Sequence, residues 1–337
     1  MKLGKVPPHV LEKLLARVPI KDPRVLVGPG IGRDVALIDA GPRLLAAKTD
    51  PITFATDLIG WYAVNVNAND IACAGARPQW FLATLLLPQS TPESQVSPIF
   101  DQITEACQAL GVTLVGGHTE VTASVTQPVI VGCMLGEVEK GRQVVTDGAR
   151  PGDAIVLTKG IAIEGSALLA RERGPQLQTA GVPPATLKKA ANFLFDPGIS
   201  VVKEALAACD AVQVHAMHDP TEGGLATGLQ ELAHAADAGL YINESAIPLL
   251  TKCADICRAL GLNPFGLLAS GCLIIALPKP QVPTLLSRLR REGIQAFEVG
   301  EVVDKKRGMV LDGLNGPKPL PTFPRDELAR YFEESPE

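Results

Sequence analysis

The chain has 337 residues, of which 46% are apolar and 20% charged, and its formal net charge is −5. This length exceeds what one hydrophobic core usually supports, so two domains are expected. Charged residues interrupt every apolar run before it could span a bilayer, and no Lys/Arg cluster is interleaved with aromatic residues. The composition excludes a membrane-spanning protein and makes nucleic acid an unexpected partner.

The N-terminal sequence and the cysteines both indicate a reducing compartment. The N-terminus shows no secretory signal pattern, so a cytoplasmic location is expected. The cysteines number seven, and they lie in apolar surroundings, which favours reduced thiols over a disulfide framework. Cys253 and Cys257 stand at i and i+4, but no second pair lies nearby, so we interpret them as structural thiols rather than metal ligands.

The first half begins with a predicted amphipathic helix over 10–18. An apolar strand, a glycine-rich turn ending in Asp34 and a second apolar strand follow within 25–39. The turn either lets the backbone approach a ligand closely or is an ordinary loop. The next strand, from 43, is predicted to run out into Lys48, Thr49 and Asp50. Polar residues at a strand end are typical of catalytic sites, although a solvated strand end has the same pattern.

The most unusual segment is an asparagine-rich helix, predicted to begin near Thr56 and Asp57 and to end at Gly75. Asn69 lies one turn after Asn65 on one face of it, with the carboxylate of Asp70 beside them. Asparagine is a poor helix former that competes for backbone hydrogen bonds. The pattern therefore favours a ligand or metal role over the alternative, a satisfied structural network.

A strand over 80–87, a helix over 92–110 and a strand over 112–115 come next. That strand leads directly into a third polar cluster, Gly116-Gly117-His118-Thr119-Glu120. His118 fits a metal ligand, a phosphate contact or a surface residue equally. A strand over 129–138 and a turn-rich joint follow, and we place the boundary between domains 1–150 and 151–337 there.

The second half is predicted to contain helices from Ser166 and after Gly198, a strand over 211–216 and a helix over 226–236. Between the last two lies the segment 217–225, where Thr221 is the expected N-cap and Glu222 the first-turn acid. Free N–H groups at this helix start could bind phosphate and Asp219 could hold Mg²⁺, whereas the plain alternative is a capped turn.

The remaining predicted elements are strands over 272–277 and 297–303, a helix over 282–292 and a short amphipathic segment over 327–332. Strands alternate with helices in both halves, which predicts an α/β or α+β protein, and neither a Walker loop nor a Rossmann fingerprint is present. His215 and His218 lie where a strand passes into a loop, so their side chains are not expected to form a metal pair.

Together, five motifs in order resemble the aminoimidazole ribonucleotide (AIR) synthetase superfamily, also called PurM-like. They are Gly30-Ile31-Gly32-Arg33-Asp34, Thr49-Asp50, Asn69-Asp70 with Gly75-Ala76-Arg77-Pro78, Gly116-Gly117-His118-Thr119-Glu120 and Asp219-Pro220-Thr221-Glu222-Gly223-Gly224-Leu225. The third and last look most like the hydrogenase-maturation proteins of the HypE type. The resemblance covers essentially the whole chain.

The resemblance implies a two-domain PurM-like fold. Its N-terminal domain, 1–150, would bind ATP and form a dimeric β-barrel with a second copy, and a C-terminal α/β domain, 151–337, would pack beside it. ATP and Mg²⁺ would lie between the domains. The implied reaction is phosphorylation by ATP of an amide, carbamoyl or other small-molecule oxygen, in a hydrogenase-maturation-type role with a maturation partner protein.

Residue by residue, the resemblance implies that Asp34, Asp50, Asp70 and Asp219 hold Mg²⁺, and that Glu120 substitutes for a further acid. Asp50, Asp70 and Lys48 are the implied catalytic residues. The implied nucleotide contacts are Asp34, Asn69, Gly116, Gly117, His118, Thr119, Thr221, Gly223 and Gly224.

The sequence departs from the HypE pattern in places that bear on the substrate. That branch ends in a cysteine that receives the carbamoyl group, and no cysteine follows Cys272 here, so carbamoyl transfer to the chain's own tail is not expected. His118 replaces an acid, Glu120 and Glu222 replace basic residues, and Arg33 replaces the first of two acids. Two alternatives therefore stay open: a small-molecule kinase resembling thiamine-monophosphate kinase, and a nucleotide-binding partner protein without turnover.

Overall fold

A computed structural model of the protein describes residues 6, 8–30, 32–55 and 57–334. The chain divides into two compact units. The smaller unit comprises Ile20–Pro29 and Asp34–Gln143, and the larger unit comprises the chain up to Pro19, Gly30–Arg33 and the chain from Val144 onward. Each unit is built from a sheet and helices, which confirms the predicted mixed α/β class.

The elements are as follows in chain order. The helices are α1 (Pro8–Leu15), α2 (Ile59–Cys73), α3 (Val96–Leu110), α4 (Ile163–Glu172), α5 (Gly174–Thr179), α6 (Pro184–Ala191), α7 (Val202–Ala211), α8 (Gly224–Ala235), α9 (Thr251–Leu260), α10 (Val282–Arg291) and α11 (Glu327–Glu334). The strands are β1 (Val25–Val27), β2 (Ala36–Asp39), β3 (Arg43–Ile52), β4 (Arg77–Pro88), β5 (Thr113–Thr122), β6 (Val129–Glu139), β7 (Asp153–Thr158), β8 (Ala216–His218), β9 (Gly239–Asn243), β10 (Ile274–Pro278), β11 (Ala296–Val303), β12 (Met309–Gly313) and β13 (Gly316–Pro319).

The smaller unit is a six-stranded sheet in the order β1-β2-β3-β6-β4-β5. Its neighbouring strands are antiparallel except β4 and β5, which run parallel. The asparagine-rich helix α2 packs against β3 and β6 and against α3. Two glycines of β6 allow this close approach, because a Cβ on Gly132 would lie 2.4 Å from Nδ2 of Asn67 and one on Gly136 would lie 2.5 Å from Cγ2 of Ile71.

The start of α2 differs from the sequence prediction. The helix begins at Ile59 after Leu58, which is left-handed with φ 54° and provides no side-chain cap. Asp57 is therefore not its N-cap, and Thr56 lies outside the described residues, as do Ile31 and the last three residues of the chain. The predicted end is correct, since the backbone turns at Gly75 with φ 72°.

The larger unit is a seven-stranded sheet in the order β13-β12-β9-β11-β7-β10-β8. Its core lies between this sheet and α8, with residues such as Ile155, Leu229 and Ile274 fully buried. The strand predicted over 211–216 is wrong, because α7 continues through Ala211 and β8 begins only at Ala216. No helix in the described ranges is both long and apolar enough to cross a bilayer.

Candidate active site

Three acids of the smaller unit surround one lysine, a group that we call the Lys48 cluster. Nζ of Lys48 lies 3.1 Å from Oδ2 of Asp70, 3.6 Å from Oδ2 of Asp50 and 3.9 Å from Oδ1 of Asp34. Lys48 and Asp70 are nearly buried, while the Asp34 and Asp50 side chains are about one-third exposed. Residues predicted separately from three motifs are thus brought to one place.

Strand alternation and the position of α2 explain how the cluster forms. Lys48 and Asp50 are two residues apart on β3, so both point to the face that is covered by α2. Asp70 reaches the same point from α2. The prediction that Lys48, Thr49 and Asp50 follow the end of a strand is wrong: β3 continues to Ile52 and pairs with β6 along this stretch. The polar residues therefore sit on the face of the sheet rather than at its edge.

The electrostatics of the cluster keep Lys48 charged. Burial by itself lowers the pKa of Lys48, but the charges of Asp70, Asp50 and Asp34 outweigh it and raise the pKa above its ordinary value. Three carboxylates around one ammonium leave an excess of negative charge at a partly open site. Such a site attracts a cation with oxygen-preferring chemistry.

The asparagines of α2 divide between structural and unassigned roles. Nδ2 of Asn65 donates to the carbonyl oxygen of Trp61 (2.9 Å), within the same helix. Nδ2 of Asn67 donates to the carbonyl oxygens of Ala63 (2.9 Å) and Asp50 (3.3 Å), which ties α2 to β3 beside the Lys48 cluster. Asn69 is fully buried next to Asp70.

The third polar cluster lies on an edge strand. Gly116, Gly117, His118, Thr119 and Glu120 are all part of β5, so the prediction that β5 ends at Val115 is wrong. All five are exposed, and Nε2 of His118 lies 3.3 Å from Oε2 of Glu120. No hydrogen bond or ion pair of the described structure joins Glu120 to the Lys48 cluster.

In the larger unit, Asp219 follows β8 directly and is buried. The predicted N-cap Thr221 is wrong, because α8 begins at Gly224 with Gly223 as its N-cap. Gly223 and Gly224 both have positive φ, 81° and 64°, and a Cβ on Gly224 would lie 2.5 Å from the carbonyl oxygen of Phe265. The N-cap therefore lies two residues after Thr221, at a pair of glycines whose positive φ values favour glycine over residues with a side chain.

Two buried acids close to this turn were missed in the sequence. Asp326 accepts hydrogen bonds from the backbone N–H groups of Gly223 and Leu328, both at 2.7 Å. Burial raises the pKa of Asp326 to about 7, although those bonds oppose the shift. Burial also raises the pKa of Glu164 to about 7, with opposing hydrogen bonds from Ser270 and smaller contributions from the charges of Asp326 and Asp219.

Comparison with known proteins identifies the chain. The model for the AIR synthase related protein N-terminal domain matches residues 32–138, and that for the C-terminal domain matches residues 150–312. A carbamoyl dehydratase HypE of Cupriavidus necator is 30% identical over 279 residues, which cover 80% of this chain and 76% of that protein. The chain belongs to the AIR synthase-related family, within its HypE group.

Solved structures share the fold over nearly the whole chain. The hydrogenase maturation protein HypE in complex with ATP is 24% identical, with a TM-score of 0.73 over 97% of this chain and 98% of that one. A chain of a solved HypE–HypF complex is 21% identical, with a TM-score of 0.75 over 93% of this chain and 99% of that one. Both likenesses show that the two-domain PurM-like fold is shared throughout.

In this HypE-like chain the remaining titratable candidates have structural partners. Nδ1 of His215 lies 2.8 Å from Oδ2 of Asp153, and Nε2 of His218 lies 2.8 Å from Oε2 of Glu231. Cys253 and Cys257 are buried free thiols. Burial raises their pKa values to about 12, so they are protonated at neutral pH.

Asp326 could have been found from sequence, as an N-cap residue directly before an amphipathic helix. Glu164 could have been found as an acid within an apolar run.

Proposed function

We propose that this HypE-like protein binds ATP with Mg²⁺ and phosphorylates the oxygen of a carbamoyl or other amide-type group, in a hydrogenase-maturation-type reaction. The observation that carries the proposal is the Lys48 cluster, which gathers three acids around a buried ammonium. The Cupriavidus necator relative is named a carbamoyl dehydratase, and a protein of the same fold has been solved with ATP.

The residues of the cluster fit Mg²⁺. Asp34, Asp50 and Asp70 offer only oxygen donors, as does Asp219 in the larger unit, and Mg²⁺ is a hard cation that prefers oxygen. In the part of the chain that the structure describes, no group of three or more acidic, histidine or cysteine side chains is placed to hold a metal ion by itself. Mg²⁺ would therefore take one or two of these carboxylates and complete its coordination with water and phosphate oxygens, as it commonly does in proteins. Glu120 would be a further ligand.

Lys48 would contact a phosphate oxygen, because the acids around it keep it protonated. Asn69 would contact phosphate or substrate beside it. Gly116, Gly117, His118, Thr119, Thr221, Gly223 and Gly224 stay proposed as nucleotide contacts. The N–H of Gly223 already donates to Asp326, so this glycine would contribute through the backbone shape that its positive φ permits.

ATP would supply the phosphoryl group, and Mg²⁺ would offset the negative charge that develops on it. In the transfer, a bond forms between phosphorus and the amide oxygen, and the bond to the ADP leaving group breaks. The phosphate then departs with that oxygen while the nitrogen gives up its two protons, one of which stays on the phosphate. The sum is amide plus ATP to nitrile, ADP, phosphate and one proton.

The nucleotide site is tested by calorimetric titration with a non-hydrolysable ATP analogue, with and without Mg²⁺. We expect micromolar binding that requires Mg²⁺, and a loss of at least about tenfold in Asp50→Asn, since one charged ligand is removed. Asp39→Asn is the matched control, because Asp39 is an acid paired with Lys140 outside the cluster. Equal affinity in wild type and Asp50→Asn, or no binding at all, would contradict the proposal.

The acceptor is tested by measuring ADP formation with S-methyl thiocarbamate, which carries a carbamoyl group on sulfur, and with thiamine monophosphate. We expect turnover with the thiocarbamate and nitrile product by mass spectrometry. Turnover with thiamine monophosphate alone would favour the kinase alternative, and nucleotide binding without turnover would favour the non-catalytic partner protein.

The proposal also includes two protein–protein associations, one with a maturation partner and one with a second copy of this chain. A chain of a solved HypE–HypF complex has the same fold, which supports a maturation partner protein for this chain. A homodimer formed through the domain 1–150 is supported by the exposed edge strand β5.

A further inference from the structure

One strand position in the sheet of the larger unit is open. β11 pairs with β7 from Ala296 onward, but its other neighbour, β9, pairs with it over Gly300–Val303 alone. After β9 the chain turns away through a short 3-10 helix (Glu244–Ala246) and forms an isolated bridge between Leu249 and Ile161. Among the described strands, the part of β11 before Gly300 therefore has a neighbour on one side only.

The free side of β11 presents main-chain hydrogen-bonding groups. The N–H of Lys159, directly after β7, donates to the carbonyl oxygen of Gln295 (2.8 Å). Alternate residues of a strand direct their main-chain groups to opposite sides, so those of Ala296 and Glu298 point away from β7. A row of strand groups without a partner strand is a template for another strand.

A groove of about 570 Å³ is lined by residues 296–298 together with residues 245–250. Its apolar side chains are those of Ile247, Pro248, Leu249, Leu250, Leu286 and Phe297. Leu249 and Phe297 are each 37% exposed. Three residues of a strand extend over about 10 Å, so the groove fits a short extended segment whose apolar side chains would cover these two.

The charge that the groove offers to a partner is negative. Glu298 is exposed and forms no ion pair in the described part of the chain. Lys159 also lines the groove, but Nζ of Lys159 lies 2.9 Å from Oε1 of Glu204 and donates to the carbonyl oxygen of Gly198 (3.1 Å). The lysine charge is thus already compensated inside the protein, and a basic side chain complements the groove.

We propose that this groove docks an extended segment of a partner protein, which adds as a strand beside residues 296–298. Side chains that lie opposite each other in paired strands share one face of the sheet. The residue opposite Glu298 would therefore be basic, and its two neighbours in the segment would be apolar, one of them opposite Phe297. Main-chain hydrogen bonds would supply affinity and these side chains selectivity. The groove contains none of the residues proposed to contact nucleotide or Mg²⁺.

The charge preference is tested with the full chain and the capped peptide acetyl-Thr-Val-Lys-Val-Thr-amide, by calorimetric titration. Wild type should bind this peptide at least about fivefold more tightly than a copy with glutamate in place of lysine. In Glu298→Lys the preference should reverse, so that the glutamate peptide binds more tightly. Glu105→Lys is the matched control, since it reverses an exposed acid on α3 of the smaller unit and should keep the wild-type preference.

Strand addition itself is tested with a second copy of the lysine peptide, methylated at its three central amide nitrogens. This copy keeps every side chain but cannot donate main-chain hydrogen bonds, so wild type should bind it at least about tenfold more weakly. The comparison uses wild-type protein and does not depend on the folding of a variant. Phe297→Ala should also weaken binding of the unmethylated peptide, because it removes the exposed ring from the groove.

Four results would overturn the proposal. They are absence of binding of the lysine peptide to wild type, a Glu298→Lys variant that keeps the wild-type preference, equal affinity for the methylated peptide, and peptide affinity that falls as the protein concentration is raised. Equal affinity for the methylated peptide would assign the groove to an apolar ligand that needs no main-chain pairing. The concentration dependence would assign it to a second copy of this chain.

Discussion

Lys48 is the residue on which the smaller unit's polar site depends. Its ammonium lies 3.1 Å from Oδ2 of Asp70, whose side chain is only 6% exposed. Lys48→Met should lower the free energy of unfolding by about 3 kcal/mol in EDTA, because removing one partner leaves a buried charge uncompensated. Mg²⁺ should recover part of this loss if the acids bind it. Urea denaturation with and without Mg²⁺ measures both effects.

The control for this prediction is Lys140→Met, which breaks an exposed pair with Asp39 and should cost less than about 1 kcal/mol. A Lys48→Met variant as stable as Lys140→Met in EDTA would show that the Lys48 cluster is not a tightly coupled group.

Glu164 and Asp326 predict a pH dependence of stability. Their folded pKa values of about 7 lie above the ordinary values of 4.5 and 3.8. Between those values and pH 7 the folded state binds protons that the unfolded state has released. The free energy of unfolding should therefore fall as pH rises through this window and level off above it. Urea denaturation from pH 5 to pH 8 in EDTA would record the fall.

Glu164→Gln cannot titrate, so its stability should fall less between pH 5 and pH 7.5 than that of wild type. The exposed Glu298→Gln variant should follow wild type. If Glu164→Gln shows the full wild-type fall, the carboxyl is not protonated in the folded protein.

For single residues, the sequence identified the members of the Lys48 cluster but not their contacts. Asp34, Asp50 and Asp70 belong to separate motifs, and only the fold shows that they share one lysine. Asp326 is more than a hundred residues from its partner Gly223, and no local pattern links the two.

Among the elements, the sequence predicted most helices and strands and failed where polar residues continue a strand. Lys48, Thr49 and Asp50 were taken as a strand end, but pairing with β6 holds them in β3. The glycines before His118 also suggested that a strand had ended. Gly117 is instead part of β5, and glycine allows the close pairing with β4, because a Cβ there would lie 1.9 Å from the carbonyl oxygen of Ala83. Tertiary pairing overrides the local signal in both cases.

The contact between α2 and β6 gives a test at the scale of elements. In Gly132→Ala the new methyl group would meet Nδ2 of Asn67 at 2.4 Å and Cε2 of Phe81 at 2.8 Å. We expect a loss of about 1–3 kcal/mol in the free energy of unfolding from overpacking. Displacement of Asn67 from the Asp50 carbonyl should also weaken binding of the Mg²⁺-bound ATP analogue.

Gly174→Ala is the matched control, because nothing lies within 4 Å of a Cβ at that position. It should change stability by no more than about 0.5 kcal/mol and leave nucleotide affinity intact. If Gly132→Ala behaves in the same way, α2 has more room above β6 than the structure indicates.

At the scale of the whole molecule, each unit carries its own polar site. The smaller unit holds the Lys48 cluster and the larger unit holds Asp219, Glu164 and Asp326. The order of the motifs along the chain was enough to recognise the family, whereas no single motif was specific. The division at residues 150 and 151 stays a prediction, as do the roles of the individual site residues.

The proposed homodimer gives the last prediction. Strand β5 lies at the edge of the six-stranded sheet, and Val115 and Val121 on it are 51% and 59% exposed. An edge strand with exposed apolar side chains favours pairing with another chain, and lysine at such positions opposes it. Wild type should therefore sediment as a dimer and a Val115→Lys/Val121→Lys variant as a monomer, each measured at several concentrations. Leu314→Lys, at a fully exposed position between β12 and β13, should stay dimeric. A monomeric wild type, or a dimer that survives both substitutions on β5, would place any self-association elsewhere on the molecule.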